Sequence, residues 1–276
     1  MRWVIVGCGY VGERLARAVA PTAVLATTRS PARASALPAP AIVADPYRPE
    51  TIPFSAGDVV VSSVPAEPGS PHVGALAAAA RAAGVARIIY LSATSVYGPG
   101  DGGWVDEDTP AVGTSPRARA RLAEEAELAA CGVPGVSLRI AAIYGPGRGI
   151  HERIRAGAHR VYGDGEGFSS RIHVTDLVAV IRAAGEAARP SPTYVVGDDE
   201  PCTSRAHADG VADMLGLPRP PSVPLSEVPP LAAEMFLSNR RIRNARMKAE
   251  LGVRLRFPSW REGLAAILLD ARRGPA

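Results

Sequence analysis

Gly7-Cys8-Gly9-Tyr10-Val11-Gly12 is the first stretch whose residue types and spacing could do chemistry. Glycines spaced G-x-G-x-x-G, between an apolar run and an amphipathic one, suit a turn that cradles phosphate. Gly7 permits the tight turn, Gly9 lets the backbone approach a pyrophosphate, and Gly12 lets a helix pack closely on a strand. Tyr10 and Val11 stand in the turn itself, just before a helix whose N-terminus offers free N–H groups and a partial positive charge to an anion. Roughly 20 residues after such a turn an acidic side chain usually holds a ribose 2′-hydroxyl. Here that place holds Thr28 and Arg29. A carboxylate repels a 2′-phosphate and a guanidinium binds it bidentately. NADP(H) is therefore the expected cofactor, with Arg29 as main contact and Thr28, Ser30 and Arg33 as helpers. The alternative is a solvated arginine at a strand end.

The elements that must position these residues follow from the pattern. Arg2 to Val6, Ala23 to Thr28, Ala41 to Ala44, Asp58 to Val61, Arg87 to Leu91, Gly135 to Ile140 and Thr193 to Gly197 are short apolar runs suited to buried parallel strands. Helices are expected over Glu13 to Ala20, Gly74 to Ala83, Arg117 to Ala130, Thr175 to Ala187 (with Thr175 as N-cap), Thr203 to Leu215, Asn244 to Leu251 and Ser259 to Ala271. Alternation of strand and helix predicts an α/β fold: a Rossmann-type doubly wound parallel sheet, helices on both faces, and a smaller C-terminal substrate lobe. The expected division is 1–146 for dinucleotide binding, with 172–197 returning to it, and 147–171 plus 198–276 for the lobe. Six prolines between Pro218 and Pro230 exclude regular structure there.

In such a sheet ligands sit outside the carboxyl ends of the strands. Ser62, Ser63 and Val64 should then lie along the cofactor. Ser92, Thr94, Tyr97 and Tyr144 become candidates for proton transfer, because a tyrosine with a shifted pKa can act as acid or base. Packing of a half-buried aromatic in a turn is the plainer account of both tyrosines. His151-Glu152 lacks a second histidine at metal-binding spacing, and His72, His159 and His207 have no partner pattern, so no metal site is expected.

The composition bounds the partners. At 276 residues with 47% hydrophobic and 21% charged residues, the chain is an ordinary globular protein. Its net charge of +4 is modest and its arginines are scattered, which argues against nucleic acid. Lys248 is the only lysine. Cys8, Cys131 and Cys202 are isolated, and no apolar run suits a membrane span or a leader, so a reducing cytoplasm is expected. The expected partner is a small-molecule substrate, and the assembly admits a homodimer.

Four features together resemble the extended short-chain dehydrogenase/reductases, the NAD-dependent epimerase/dehydratase group. They are the glycine turn, Leu91 to Gly98 ending in Val96-Tyr97-Gly98, Leu138-Arg139 through Ile143-Tyr144-Gly145-Pro146, and Arg171-Ile172-His173-Val174-Thr175-Asp176-Leu177. The G-x-G-x-x-G spacing is similar to that of the atypical members. The resemblance implies a serine or threonine with a Tyr-x-x-x-Lys pair, the tyrosine moving a proton and the lysine holding the nicotinamide ribose. This chain has no such pair. Matching Leu122-Ala123-Glu124-Glu125 puts Arg117 at the tyrosine place and Arg121 at the lysine place, and Ala93 falls at the serine place. Arginine stays protonated and is a poor acid or base. Arg121 could hold a cofactor ribose or phosphate and Arg117 could clamp an anionic substrate. Alternatively both lie on an exposed helix face, paired with Glu124 and Glu125. His173 is expected to satisfy a local hydrogen bond. Ser169 stands where nucleotide-sugar enzymes often carry an arginine. The expectation is an NADP(H)-dependent oxidoreductase with a non-standard active site. The alternatives are a non-catalytic NADP(H) sensor or a nucleotide-sugar epimerase or dehydratase.

Overall fold

The computed structural model describes residues 1–19, 23–229 and 236–273. Its strands are β1 (Trp3–Val6), β2 (Val24–Thr28), β3 (Ala41–Val43), β4 (Val59–Ser62), β5 (Arg87–Ala93), β6 (Trp104–Val105), β7 (Gly135–Ile140) and β8 (Ala142–Tyr144). There follow β9 (Val161–Tyr162), β10 (Phe168–Ser169), β11 (Arg171–His173), β12 (Thr193–Val196), β13 (Cys202–Thr203), β14 (Ser222–Val223) and β15 (Arg241–Ile242). The helices are α1 (Tyr10–Ala18), α2 (Pro31–Ala36), α3 (Val73–Ala82), α4 (Pro116–Ala130), α5 (Ile150–Arg155), α6 (Val174–Glu186), α7 (Ser204–Leu215), α8 (Ala245–Leu251) and α9 (Trp260–Arg273).

Seven strands form one sheet in the order β3-β2-β1-β4-β5-β7-β12, and every pairing is parallel. The order reverses direction between β1 and β4, as a doubly wound sheet requires. Strand alternation explains why helices cover both faces. Trp3 and Ile5 point to one side, against Leu15 of α1 and Leu177 and Ile181 of α6. Val4 and Val6 point to the other, against Leu76 and Ala77 of α3 and Leu128 of α4. Burying a side chain such as Leu15 contributes about 1.5–3 kcal/mol. After β8 the chain builds short two-stranded pieces, and a separate cluster gathers Tyr144, Ile154, Val211, Trp260 and Leu264. It then returns through α6 and β12 to the edge of the main sheet.

Three local expectations are corrected. The first helix begins at Tyr10, not Glu13, because Gly9 serves as its N-cap; Ala20, its expected end, lies outside the described residues. Thr175 does not cap α6. His173 does, its Nδ1 accepting the Thr175 amide at 3.2 Å, so an imidazole nitrogen takes the place of a hydroxyl. The proline-rich stretch holds regular structure after all: β14 pairs with β9, and a 3-10 turn spans Leu225–Glu227. Prolines flank these pieces, and the Pro221 carbonyl still accepts the Val161 amide. Pro230 lies outside the described residues.

Candidate cofactor and active site

The glycine turn is held from beneath by β2. The Gly7 amide donates to Thr27 Oγ1 at 3.1 Å and the Cys8 amide to the Thr27 carbonyl at 2.7 Å. Gly7 has φ +79°, and a Cβ there would meet Val64 Cγ2 at 2.8 Å. A Cβ on Gly12 would meet Ile5 Cγ2 at 2.8 Å, the close helix–strand approach that the spacing predicts. A Cβ on Gly9 would meet only the Gly7 carbonyl, at 3.9 Å. The space over Gly9 and the first turn of α1 is therefore open, and backbone N–H groups of that turn lack helical partners. A pyrophosphate fits this cradle.

Beside it lies a cavity of about 400 Å³, lined by Gly7, Cys8, Gly9, Thr27, Thr28, Arg29, Ser30, Arg33, Ala44 and Pro46. Its two arginines differ. Arg33 is engaged, Nε on the Cys8 carbonyl at 3.2 Å and Nη2 on Glu13 at 3.2 Å. Arg29 is exposed and makes no hydrogen bond or ion pair with the described residues. Ser30 Oγ accepts the Arg33 amide and caps α2, and Thr28 Oγ1 accepts the Ser30 amide. Burial pushes the Cys8 thiol up to about 11, so it stays protonated in the turn. Tyr10 turns away from the cradle: its ring packs under Arg14, and its hydroxyl donates to the Pro146 carbonyl at 3.1 Å.

The next strand end is less simple. Ser63 donates its amide to the Val6 carbonyl and Val64 packs under Gly7. Ser62 is fully buried, its hydroxyl 2.8 Å from His72 Nε2, so it faces the core and not the cavity.

On the carboxyl ends of β5 and β7 four side chains meet. Ser92 Oγ donates to Glu125 Oε1 at 2.6 Å. Arg139 grips Glu125 through Nε and Nη2, at 3.1 and 2.8 Å to Oε2. Arg139 Nη1 donates to the Tyr97 hydroxyl at 2.9 Å, and that hydroxyl donates onward to the Asp106 carbonyl at 2.7 Å. Burial raises the Tyr97 pKa against the opposing pull of Arg139, so the phenol keeps its proton. Thr94 is buried, and its hydroxyl has no partner among the described residues. Arg121 Nη1 donates to Ser95 Oγ at 3.0 Å, and Arg117 is exposed at the start of α4. Ala93, at the place where the resemblance expects serine, offers no hydroxyl beside Ile140.

Tyr144 is not part of this group. It stacks edge-on against His173, 5.1 Å between centroids, and its hydroxyl reaches the Ser259 carbonyl at 3.4 Å. Burial drives its pKa far above the ordinary phenol value. Glu124 and Glu125 of α4 also depart from expectation. Neither sits on a solvated face: Glu124 is 1% exposed and bonded to His72 and Tyr90, and Glu125 is held by Arg139 and Ser92. His72, read as having no partner pattern, sits between Ser62 and Glu124. No local sequence pattern marks Glu125 as a site residue, and the Leu138-Arg139 motif is the one sequence signal for Arg139.

A doubly wound parallel sheet with an open glycine turn at its switch point defines a dinucleotide-binding protein. A sequence model described as the NAD dependent epimerase/dehydratase family matches residues 72–197. The chain is 32% identical over 205 residues to a 3-diazoavenalumate denitrifying reductase of a Streptomyces species, covering 68% of this chain and 67% of the relative. It therefore belongs to the NAD-dependent epimerase/dehydratase family. A conserved protein of unknown function from Silicibacter pomeroyi superposes with a TM-score of 0.86 at 36% identity, over 98% of each chain. A dTDP-glucose 4,6-dehydratase from Streptomyces venezuelae, solved with NAD bound, shares the fold with a TM-score of 0.82 at 20% identity, over 99% of this chain and 98% of that one. No helix among the described residues is long and apolar enough to cross a membrane.

Proposed function

We propose that this chain is an NADP(H)-dependent reductase whose active site delivers a hydride to an acceptor that needs no proton from a tyrosine. Residues 1–146 with 172–197 would hold the cofactor, and 147–171 with 198–276 the substrate. Gly7, Gly9 and the amides of Tyr10, Val11 and Gly12 would cradle the pyrophosphate. Arg29 would take the 2′-phosphate, with Thr28, Ser30 and Arg33 shaping its pocket and Ser63 and Val64 flanking the cofactor. Arg121 would serve the ribose or a phosphate. Bound there, the reduced nicotinamide would supply the hydride.

The observation that carries the chemical reading is where the hydroxyl protons go. Ser92 donates its hydroxyl hydrogen bond to Glu125, and Tyr97 donates its own to the Asp106 carbonyl. At the usual tyrosine and lysine places stand Arg117 and Arg121, which can bind an anion but do not surrender a proton. A carbonyl acceptor turns into an alkoxide that must be protonated. A diazonium acceptor already carries positive charge: hydride addition gives a diazene, which expels N2 and leaves the C–H product. That acceptor matches the site, and a relative of this chain is a denitrifying reductase of a diazo compound. Thr94 would bind the substrate through its uncommitted hydroxyl, and Arg117 would clamp an anionic group.

The test is consumption of NADPH with an aryl diazonium carboxylate, and with an aromatic aldehyde of the same shape. We expect one NADPH lost per N2 released, and the aldehyde reduced at least about tenfold more slowly, a difference of about 1.4 kcal/mol in barrier. NADPH binding without turnover of either acceptor would favour the sensor reading. Turnover of UDP-glucose or a similar sugar nucleotide would favour the epimerase reading.

A further inference from the structure

A strand end, a loop and two further elements meet in one sealed series of short polar contacts, in which Ser62, the His72 amide and Tyr90 make the hydrogen bonds and His72 Nδ1 makes a close charge contact with Glu124. Ser62 Oγ lies 2.8 Å from His72 Nε2, His72 Nδ1 lies 2.6 Å from Glu124 Oε1, and Tyr90 Oη donates to Glu124 Oε2 at 2.5 Å. The His72 amide also donates to Glu124 Oε1, at 3.2 Å. Each of the four residues is at most 1% exposed. Serine, histidine and carboxylate in this series activate a nucleophile where the serine is reachable. Here no substrate reaches Ser62, so the series must serve another purpose.

Burying a carboxylate is costly unless it is well paired, and losing one partner leaves an uncompensated buried charge. Burial alone would raise the Glu124 pKa, and the hydrogen bonds from His72 and Tyr90 hold it below the usual range. The positions joined are informative. Ser62 ends β4, whose next residues run under Gly7. Glu124 lies in α4, which also carries Arg117, Arg121 and Glu125. Tyr47, one residue past cavity-lining Pro46, meets the His72 ring edge-on at 5.9 Å. His72 thus contacts residues adjacent to the glycine-turn cavity on one side and adjacent to Glu125 of α4 on the other.

We propose that His72 is a positioning residue: through Ser62 and Glu124 it fixes the seat of α4 against the end of β4, and so places Arg121 and Glu125 relative to the glycine turn. Its effect on turnover rests on the reductase reading; its effect on α4 does not.

His72→Phe keeps a ring against Tyr47 and Tyr90 but leaves Glu124 unpaired. Glu124→Gln keeps partners for both His72 and Tyr90. In His72→Phe, amides of residues 117–128 should exchange at least about tenfold faster, while those of β1 and α6 stay within about threefold. With NADPH, kcat should fall at least about tenfold while KM for NADPH moves by less than about threefold. Glu124→Gln should hold both readouts within about threefold of the parent protein. If His72→Phe does not fold, His72→Phe/Glu124→Leu removes the buried charge, and the same pattern is expected of it. A uniform rise in exchange, unchanged exchange in α4, or unchanged kcat in an active protein would each overturn the proposal. If the parent protein neither binds nor oxidises NADPH, the reductase reading fails, and the exchange pattern alone decides the role of His72.

Discussion

Arg29 and Arg33 share one cavity wall, and only Arg29 has an uncommitted guanidinium. A hydrogen bond to a charged group contributes about 1.5–3 kcal/mol, or roughly 10–100-fold in affinity. Arg29→Asp should therefore weaken NADPH by about that factor and NADH by less than about threefold, as read by calorimetry; equal losses would remove Arg29 from the 2′-phosphate. Asp198 offers a second residue-scale prediction. It is 1% exposed, and burial raises its carboxyl from 3.8 to about 8, opposed by Arg171. The folded chain thus keeps a proton that the unfolded chain gives up at 3.8. The stability this contributes is full below that value, falls as pH rises, and is lost above about 8. The loss is at most about 1.36 kcal/mol per pH unit. Asp198→Asn should flatten the fall in Tm between about pH 5 and about pH 8. An unchanged slope would mean that Asp198 is ionised in the folded protein.

At the scale of elements, α4 decides most about the site. Its Glu125 joins Ser92 to Arg139, with side chains only 9% and 11% exposed for Glu125 and Arg139. Removing one partner of so buried a pair costs about 3–5 kcal/mol. Glu125→Leu should lower Tm accordingly and release both Ser92 and Arg139, with loss of turnover; a Tm within about 1 °C of the parent would show the pair to be solvent-screened. The glycine turn could be read in the sequence because its parts are contiguous, so spacing alone dictates strand, turn and helix. The Arg117, Arg121 and Glu125 spacing suggested a solvated face because charge is usually solvated. What buries the acidic edge of α4 is β5, β7 and His72, whose contacts lie 14 to 52 residues away, beyond any helical period. Ser62, His72 and Glu124 come from three elements, and no local period links them. Tyr144 looked available for chemistry at a strand end, yet Trp260 and Ser259, more than a hundred positions on, enclose it.

For the molecule as a whole, the parallel sheet follows directly from short β-branched runs alternating with helical ones. The small pieces after β8 do not, since two-residue strands carry no pattern of their own. The return of α6 and β12 to the sheet closes the cofactor side and leaves α5, α7 and α9 around Tyr144 and Trp260. The proposed function turns on whether this assembled surface prefers a phosphorylated cofactor. Calorimetric titration of the full chain with NADPH and with NADH tests it most directly. NADPH should bind at least about tenfold more tightly, in keeping with one uncommitted arginine on a 2′-phosphate. Equal affinities, tighter NADH, or binding of neither would contradict it.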